Sequence, residues 1–408
     1  MKEFFKVITI DQALEYRHQF PIMPTESIPL TESVGRVLAT DIRSEIDLPD
    51  FSRAIMDGFA VKASSTFGAS EGNPAYLNVT GTVAMGESPA VSLGPGEAVR
   101  ISTGGMLPAG ADGVVMVEHT SAIDDTTIEV YRSVAPGQNM VTVGEDIKKG
   151  EIALVGGSRI RPQETGMLAA LGIQTATVYR KPVIGIISTG DEIVSVGELP
   201  GPGRIRDINS YTLFGLIQQA GAAPVQFGIV HDDYQALLTV CSEALTQCDM
   251  ILVSGGSSVG ARDFTIDVIS ALQDATLLFH GISISPGKPT ILAKIKDKAF
   301  WGLPGHVVSA MIVFSRVVTP FIEHISGCRA PAGGLRLTAR LSRNIASAQG
   351  RVDYIRVRLS HKDSSLQAEP ILGKSGLINT MVQADGLIEI DMNTEGLDKG
   401  TAVEVIPL

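Results

Sequence analysis

The sequence is short of several things, and each shortage excludes a class of protein. Its 408 residues contain three cysteines, too few and too scattered for a disulfide framework or a zinc knuckle. Basic residues number 33 against 44 acidic ones, for a net charge of -11. Nucleic acid is therefore not expected as a partner, because a nucleic-acid surface needs clustered cations. Any anionic ligand must be held by local features.

Long apolar runs are missing too. The apolar patch Phe4 to Ile8 has no small-residue cleavage site after it, so the sequence predicts no signal peptide. The later run Val307 to Phe314 is interrupted by Ser315 and Arg316, which makes it short for a membrane span. With 44% hydrophobic and 19% charged residues, the composition is that of an ordinary globular protein. We expect a cytoplasmic protein in a reducing compartment, without membrane contact.

The pattern of apolar residues predicts a multi-domain α/β plus β protein. Residues 76–131 carry short alternating runs split by Gly, Pro and Asp, which is typical of a β domain. Residues 182–327 alternate strands with helices and predict a parallel sheet covered by helices. In that region Asn209 or Ser210 is expected to cap the first helix. The alternating pattern after Cys328 predicts a small β-barrel.

One stretch in the parallel region has the features of an anion site. Met250 to Val253 form a buried strand, and Gly255 and Gly256 follow it in a tight turn. Ser257 or Ser258 can cap the next helix, whose unpaired N–H groups point out of the turn. Glycines let a phosphate approach such a backbone closely. A purely structural turn is the competing interpretation, which these residues alone do not exclude.

Acidic residues follow three of the predicted parallel strands. Glu192 comes after the first strand, Asp232 after the second and Asp263 after the third. Since ligands bind outside the carboxyl ends of such strands, the acids should meet at one edge of the sheet. Solvated loop charge is the simpler interpretation of any one of them. Together, beside an anion-binding turn, they predict a Mg²⁺ site that bridges to phosphate.

Three more residues have candidate roles. Lys288 lies in a Pro-Gly-Lys-Pro turn whose prolines fix the backbone, so it would present a charge at a defined point. Asp57 is in an Asp-Gly turn, and turn formation alone accounts for it. Thr103 is in a small glycine-bearing loop and could donate to a ligand, although a hydroxyl bonded to its own turn is the simpler reading.

The order of these motifs resembles the molybdopterin molybdenumtransferases, the MoeA and gephyrin E-domain family. The matching pieces cover nearly the whole chain: residues 54–61, Ser102-Thr103-Gly104, Gly144-Glu145-Asp146, residues 188–192, residues 254–260, Pro286-Gly287-Lys288-Pro289 and Leu303-Pro304-Gly305.

The resemblance implies a four-domain protomer. The expected domains are an N-terminal linking domain (1–45 with 147–178), an inserted β domain (46–146), a parallel α/β molybdopterin-binding domain (179–327) and a C-terminal β-barrel (328–408). It also implies a homodimer whose active site lies between the α/β domain of one chain and the β domain of its partner.

The resemblance further implies that adenylylated molybdopterin and molybdate are converted, with Mg²⁺, to molybdenum cofactor and AMP. Catalytic positions would be Asp57, Thr103, Glu192, Asp263 and Lys288, with Asp57 and Thr103 supplied by the partner subunit. The pterin substrate would be held by Asp146, Gly255, Gly256, Ser257, Arg356 and Ser375. Glu192, Asp232 and Asp263 would hold the metal. Molybdopterin adenylyltransferase and cofactor-accepting enzymes are further candidate partners.

Three departures from the family pattern alter the expected charges. The chain has Met140 to Val143 where many members have arginines, Ser285 where many have a lysine, and His306-Val307 where many have Asn-Pro. Loss of a lysine should weaken attraction for an oxyanion. Tungstate is therefore an alternative to molybdate, and a noncatalytic pterin-binding or scaffold module is an alternative to the enzyme.

Overall fold

The structure is a computed structural model that describes residues 7–255, 264–329, 334–362 and 365–408. The chain divides into two compact units. The first holds residues up to Thr40, Gly156–Arg161 and Thr175–Leu408, and the second holds Asp41–Val155 and Pro162–Gln174. Gly256, Ser257 and Asp263, three of the candidate site residues, lie outside the described residues.

The chain begins in the first unit with helix α1 (Ile10–Glu15) and strand β1 (Thr25–Pro29). The hydroxyl of Thr9 accepts from the N–H of Gln12, and the Gln12 side chain accepts from the N–H of Thr9. This capping box satisfies two backbone donors that the helix itself leaves unpaired, which is why the helix begins there.

The second unit is built from ten short strands and one helix among the described residues. They are β2 (Ile42–Arg43), β3 (Arg53–Ala54), β4 (Gly58–Val61), β5 (Ala75–Val83), β6 (Glu97–Ile101), β7 (Gly113–Met116), β8 (Thr120–Ala122), β9 (Thr127–Val130), β10 (Met140–Val141), β11 (Ile152–Leu154) and α2 (Pro162–Ala170). Six of these strands form one sheet in the order β7-β4-β6-β5-β9-β8. All its pairs are antiparallel except β5 with β6, so the predicted β domain is present.

The first unit resumes with its α/β layer. Its elements are β12 (Thr175–Tyr179), β13 (Val183–Thr189), β14 (Ile193–Val194), β15 (Ile205–Arg206), α3 (Asn209–Gln219), β16 (Ala223–Val230), α4 (Tyr234–Gln247), β17 (Met250–Ser254), α5 (Phe264–Ala271), β18 (Ala275–His280), β19 (Ile284–Ser285), β20 (Ile291–Ile295), β21 (Lys298–Leu303), α6 (Val307–Val313) and α7 (Thr319–Ile325).

These elements form a six-stranded sheet in the order β16-β13-β17-β21-β20-β18. The first four strands are parallel, as predicted, and β20 and β18 extend the sheet in antiparallel pairs. Only Lys296 and Asp297 separate β20 from β21, and so short a connection permits only antiparallel pairing. All five residues of β17 are buried because the sheet has an apolar cluster on each face.

One helical stretch among the described residues is long and apolar enough to cross a membrane. It runs over Val307–Ile325, with a mean hydropathy of 1.4, and continues past Arg316 through a π-helical turn at Phe314–Val318. It is therefore longer than the expected run that ended at Phe314. Most of it is buried inside the first unit, where Phe314, Val317 and Phe321 join the main apolar cluster. Packing in the core accounts for its hydropathy.

The C-terminal residues form the predicted β-barrel. The elements are β22 (Leu337–Leu341), β23 (Ile345–Ala346), β24 (Val352–Lys362), β25 (Ser365–Pro370), α8 (Asn379–Val382), β26 (Gly386–Ile390), β27 (Gly396–Leu397) and β28 (Ala402–Pro407). Five strands close in the order β24-β25-β22-β28-β26, with β26 pairing back to β24. Strand β19 adds to β24 in parallel, which joins the barrel to the α/β layer.

Candidate active site

A cavity of about 1120 Å³ lies in the first unit, at the carboxyl ends of the parallel strands. Its walls come from the segments after β13, β16, β17 and β21, the turn after β19, the residues before β24 and a loop before α8. This is where parallel sheets bind ligands, since the strand ends leave a crevice there. Among the predicted residues that the structure describes, it brings together Glu192, Asp232, Gly255, Lys288 and Ser375.

Two carboxylates, Glu192 and Asp232, form what we call the acidic edge of the cavity. The hydroxyl of Thr189 donates to the Asp232 carboxylate at 3.1 Å, and the Asp232 N–H donates to Asp191 at 3.2 Å. The side chain of Glu192 folds back over Gly190. A methyl group on Gly190 would lie 2.7 Å from a carboxylate oxygen of Glu192. Asp233, by contrast, accepts from the N–H of Ala236 and caps α4.

Gly255 is at the turn that the sequence marks as a candidate anion site. Its φ of +107° is in the region that favours glycine, and an added Cβ would lie 2.2 Å from the backbone oxygen of Thr189. A Cβ on Gly305 would lie 3.7 Å from the Gly255 Cα, so two glycine turns approach each other here. Close backbone approach requires glycine at position 255.

A buried polar network supports these turns. The amide of Asn209 donates to the hydroxyl of Ser254 at 2.6 Å and to the carbonyl of Gly305 at 2.8 Å. The prediction that Asn209 or Ser210 caps α3 was wrong. Asn209 is the first helical residue, and the N–H of Ser210 instead donates to the carboxylate of Asp207. Sequence pattern missed the network because its partners are about 45 to 96 residues apart.

Lys288, Arg351 and His306 line the cavity, and we call these three basic side chains the cationic wall. The turn that carries Lys288 packs on α6: a Cβ on Gly287 would lie 2.4 Å from Val313. Sequence reasoning missed Arg351 because a single arginine outside any motif carries no signal.

Strand pairing places Arg351 on this wall. Ser285 lies opposite Asp353 in the β19–β24 register, so the start of β24 adjoins the turn that carries Lys288. Arg351 lies two residues before Asp353 and forms an ion pair with it, Nε to Oδ1 at 3.0 Å. The buried carboxylate of Asp353 also accepts from the hydroxyl of Ser347 at 2.7 Å. Asp353 is thus a fixed partner that orients the Arg351 side chain.

Ser375 reaches the cavity from the loop before α8. Its hydroxyl lies 2.8 Å from Nδ1 of His306, and its carbonyl accepts from the N–H of Val308 at 3.0 Å. Both bonds tie the loop to the start of α6. Arg356, which is also predicted to hold the pterin substrate, bonds to two residues of the segment around Ser375.

Arg356 does not line the cavity and is 8% exposed. Its guanidinium donates to the hydroxyl of Thr380 and to the carbonyl of Gly373, both at 2.8 Å. Burial lowers the pKa of Arg356, because desolvation disfavours its charged form. These contacts give Arg356 a positioning role toward Ser375.

Three predicted site residues belong to the second unit. Asp57 is exposed and accepts from Thr103 twice, from its N–H at 2.7 Å and from its hydroxyl at 3.0 Å. Both bonds hold the pKa of Asp57 below its usual value, and the bond from the backbone N–H has the larger effect. Thr103 therefore orients Asp57 as an ionised carboxylate. Asp146 is also exposed, and its N–H donates to the carbonyl of Leu48.

The donor set of the cavity fits a hard divalent cation. Glu192 and Asp232 offer carboxylate oxygens, which Mg²⁺ prefers, and Mg²⁺ commonly takes one or two protein carboxylates with phosphate and water. Within residues 7–255, 264–329, 334–362 and 365–408, no group of three or more His, Cys, Asp or Glu side chains could hold a metal. The third predicted ligand, Asp263, lies outside those ranges.

Comparison with known proteins decides the family. The family model of the MoeA N-terminal region (domain I and II) matches residues 8–172, that of a probable molybdopterin binding domain matches residues 185–324, and that of the MoeA C-terminal region (domain IV) matches residues 338–408. The molybdopterin molybdenumtransferase of Bacillus subtilis is 33% identical over 94% of this chain and 89% of its own. That of Haemophilus influenzae is 32% identical over 98% of both chains.

The chain belongs to the MoeA family. Two crystal structures of MoeA proteins from Pyrococcus horikoshii agree with this assignment. One superimposes with a TM-score of 0.83 at 32% identity over 99% of this chain and 100% of its own, and the other with 0.78 at 38% identity over 98% of both. Membership of the MoeA family places the chain in molybdenum cofactor biosynthesis and confirms the resemblance drawn from the motifs. Several of its curated relatives are named as enzymes, the molybdopterin molybdenumtransferases.

Proposed function

We propose that this protein inserts molybdenum from molybdate into adenylylated molybdopterin and releases AMP. The observation that supports the proposal is the cavity at the sheet edge, which carries an acidic edge, a glycine turn and a cationic wall in one space of about 1120 Å³. Adenylylated molybdopterin carries both a phosphoanhydride and a pterin, and molybdate is a second anion. Binding both substrates requires those three surfaces together.

The acidic edge would handle the phosphates with Mg²⁺. Glu192 and Asp232 would hold the cation, together with Asp263, and the backbone at Gly255, which carries no side chain, would let a phosphate oxygen approach closely. Bound Mg²⁺ would neutralise charge on the phosphoanhydride and on the departing AMP. The protein's own contribution is to fix Asp232, whose carboxylate accepts from the hydroxyl of Thr189 and whose N–H donates to the carboxylate of Asp191.

The cationic wall would hold the oxyanion. Lys288 supplies a fixed charge and Arg351 a second one, each able to donate to molybdate oxygens. AMP would leave when water hydrolyses the phosphoanhydride bond, and the two dithiolene sulfurs would then displace oxygens of molybdate, which take up protons and leave as water. Ser375 would bind the pterin substrate at the same side of the cavity. Tungstate has the same charge and shape, so the two oxyanions are compared in the test below.

The remaining site residues would come from a second copy of the chain. Asp57, Thr103 and Asp146 belong to the second unit, and we propose that a homodimer places them at the partner's cavity. Asp57 is suited to this because Thr103 keeps it ionised and oriented at an exposed position. We also propose the four-domain division given above and a cytoplasmic location, with the adenylyltransferase and the cofactor-accepting enzymes as partners.

The test is AMP release. Purified protein is incubated with adenylylated molybdopterin and Mg²⁺, with molybdate or tungstate, and AMP is measured by chromatography. We expect release that stops with EDTA and in Glu192→Gln, while the variant keeps its dimer in sedimentation. A protein that binds the compound and never cleaves it would be a scaffold and would overturn the proposal.

A further inference from the structure

His306 is placed to change the charge of the cationic wall. It follows the glycine turn after β21 and lines the same cavity as Lys288 and Arg351. The ring does not cap α6, although His306 occupies the N-cap position. Instead Nδ1 bonds the hydroxyl of Ser375 at 2.8 Å. An imidazole in this position faces the ligand space and is bound to a group that also faces it.

The bond to Ser375 links the proton on His306 to the direction of the hydroxyl. In a neutral ring Nδ1 either donates or accepts, so Ser375 can use its own proton to satisfy the ring. In the protonated ring both nitrogens are donors, and Ser375 must accept. The hydroxyl proton of Ser375 is then released to donate to a ligand oxygen. Protonation therefore adds a positive charge and a second donor at the same place.

The groups around His306 favour this response when an anion is bound. The charged side chains that line the same cavity are Lys288 and Arg351 on the cationic wall and Glu192 and Asp232 on the acidic edge, and Arg351 is paired with the carboxylate of Asp353. Lys374 is the neighbour of Ser375 in the loop. A dianion bound at the wall would offset the repulsion that Lys288 and Arg351 exert on a protonated ring. Imidazole is the side chain that changes charge between about pH 5 and 8.

We propose that His306 is the proton-dependent part of an oxyanion subsite, with Ser375, Lys288 and Arg351. It binds a tetrahedral dianion such as molybdate together with one proton taken from solvent. The assignment of molybdate rests on the proposed function. His306 is thus a specificity-determining residue: it favours a ligand that stays doubly charged at a pH where imidazole is protonated.

Calorimetric titration of the whole protein with molybdate, and with sulfate as a dianion that does not titrate, tests the proposal at about pH 5.5 and about pH 8.5. Wild type should bind both anions about tenfold more tightly at the lower pH. His306→Asn should lose most of that difference, and His306→Lys should bind tightly at both values. His361→Asn is the matched control, because His361 is exposed on β24 and does not line the cavity, and it should behave as wild type.

Equal pH dependence in wild type and His306→Asn, or no anion binding by wild type, overturns the proposal. Circular dichroism of each variant shows whether it is folded, and His306 is exposed, so these substitutions bury nothing new. AMP release by the wild-type protein is measured in parallel. If AMP is released while anion affinity is independent of pH, the inference fails and the proposed function stands. If pH-dependent binding occurs without AMP release, the proposed function fails alone.

Discussion

Replacement of Asn209 by alanine tests whether the buried network positions the site. The amide of Asn209 donates to Ser254 at 2.6 Å and to Gly305 at 2.8 Å, and the residue is 7% exposed. Two such bonds contribute about 2 kcal/mol in total, and the hydroxyl of Ser254, which is fully buried, would lose a donor. We expect the free energy of unfolding of the first unit to fall by about 2 to 3 kcal/mol.

The single tryptophan of the chain allows unfolding of the first structural unit to be measured. Trp301 is fully buried on β21, next to the turn that Asn209 holds, so its fluorescence follows unfolding of the first unit in urea. Gln218→Ala, an exposed substitution on the same helix, is the control and should leave the midpoint unchanged. Asn209→Asp keeps the shape and removes the donors, so it should behave like the alanine variant.

Activity separates positioning from plain stability. If Asn209 ties the turns at Ser254 and Gly305 together, kcat for AMP release should fall about tenfold or more at a temperature where the variant is still folded, since a small displacement of reacting groups is costly. A variant that is less stable but turns over at the wild-type rate would refute the positioning role. A variant with unchanged stability would refute the energetic reasoning as well.

Three other substitutions or treatments have defined outcomes. Gly255→Ala places a methyl group 2.2 Å from a backbone oxygen of β13, so we expect loss of nucleotide binding in calorimetry, and normal affinity would contradict the close approach. Thr103→Val removes the weaker of two bonds to Asp57, so the pKa of Asp57 should rise toward, and stay below, its usual value in an NMR titration. An unchanged titration in Thr103→Val would refute the role of the Thr103 hydroxyl. Because the pKa of Asp57 is lowered in the folded protein, its ionised carboxylate stabilises the fold at pH values above the ordinary carboxyl range, and that contribution is lost as the pH falls through the lowered pKa. Burial raises the pKa of Cys241 to about 12, so iodoacetamide should modify the partly exposed Cys328 in the folded protein and Cys241 only after unfolding, whereas early modification of Cys241 would argue against its burial.

Sequence pattern predicted the elements whose signals are local. Unbroken apolar runs such as Met250 to Val253 predict buried strands, because a strand covered on both faces has no polar side. The alternating pattern after Cys328 predicts the C-terminal barrel, because each of its strands has one face toward the core and one toward solvent. The acids at the strand ends follow from topology, since parallel strands end at one edge.

The same reasoning failed where partners come from distant segments. His306 bonds Ser375, which is 69 residues away, and no spacing rule connects them. Arg351 lies at the cavity because β19 pairs with β24, and these two strands are far apart in the chain. Asn209 is a residue type that commonly caps helices, so the sequence predicts a cap there. In the structure its amide instead donates to Ser254 and Gly305 and holds two turns.

The central claim is that Glu192 and Asp232 hold one divalent cation beside the glycine turn. Crystals soaked with AMP and Mn²⁺, which substitutes for Mg²⁺ and scatters anomalously, test it most directly. We predict an anomalous peak within bonding distance of both carboxylates and of a phosphate oxygen at Gly255, and no peak in Glu192→Gln crystals. Manganese bound elsewhere, or AMP bound in the cavity without any cation at the acidic edge, would contradict the account.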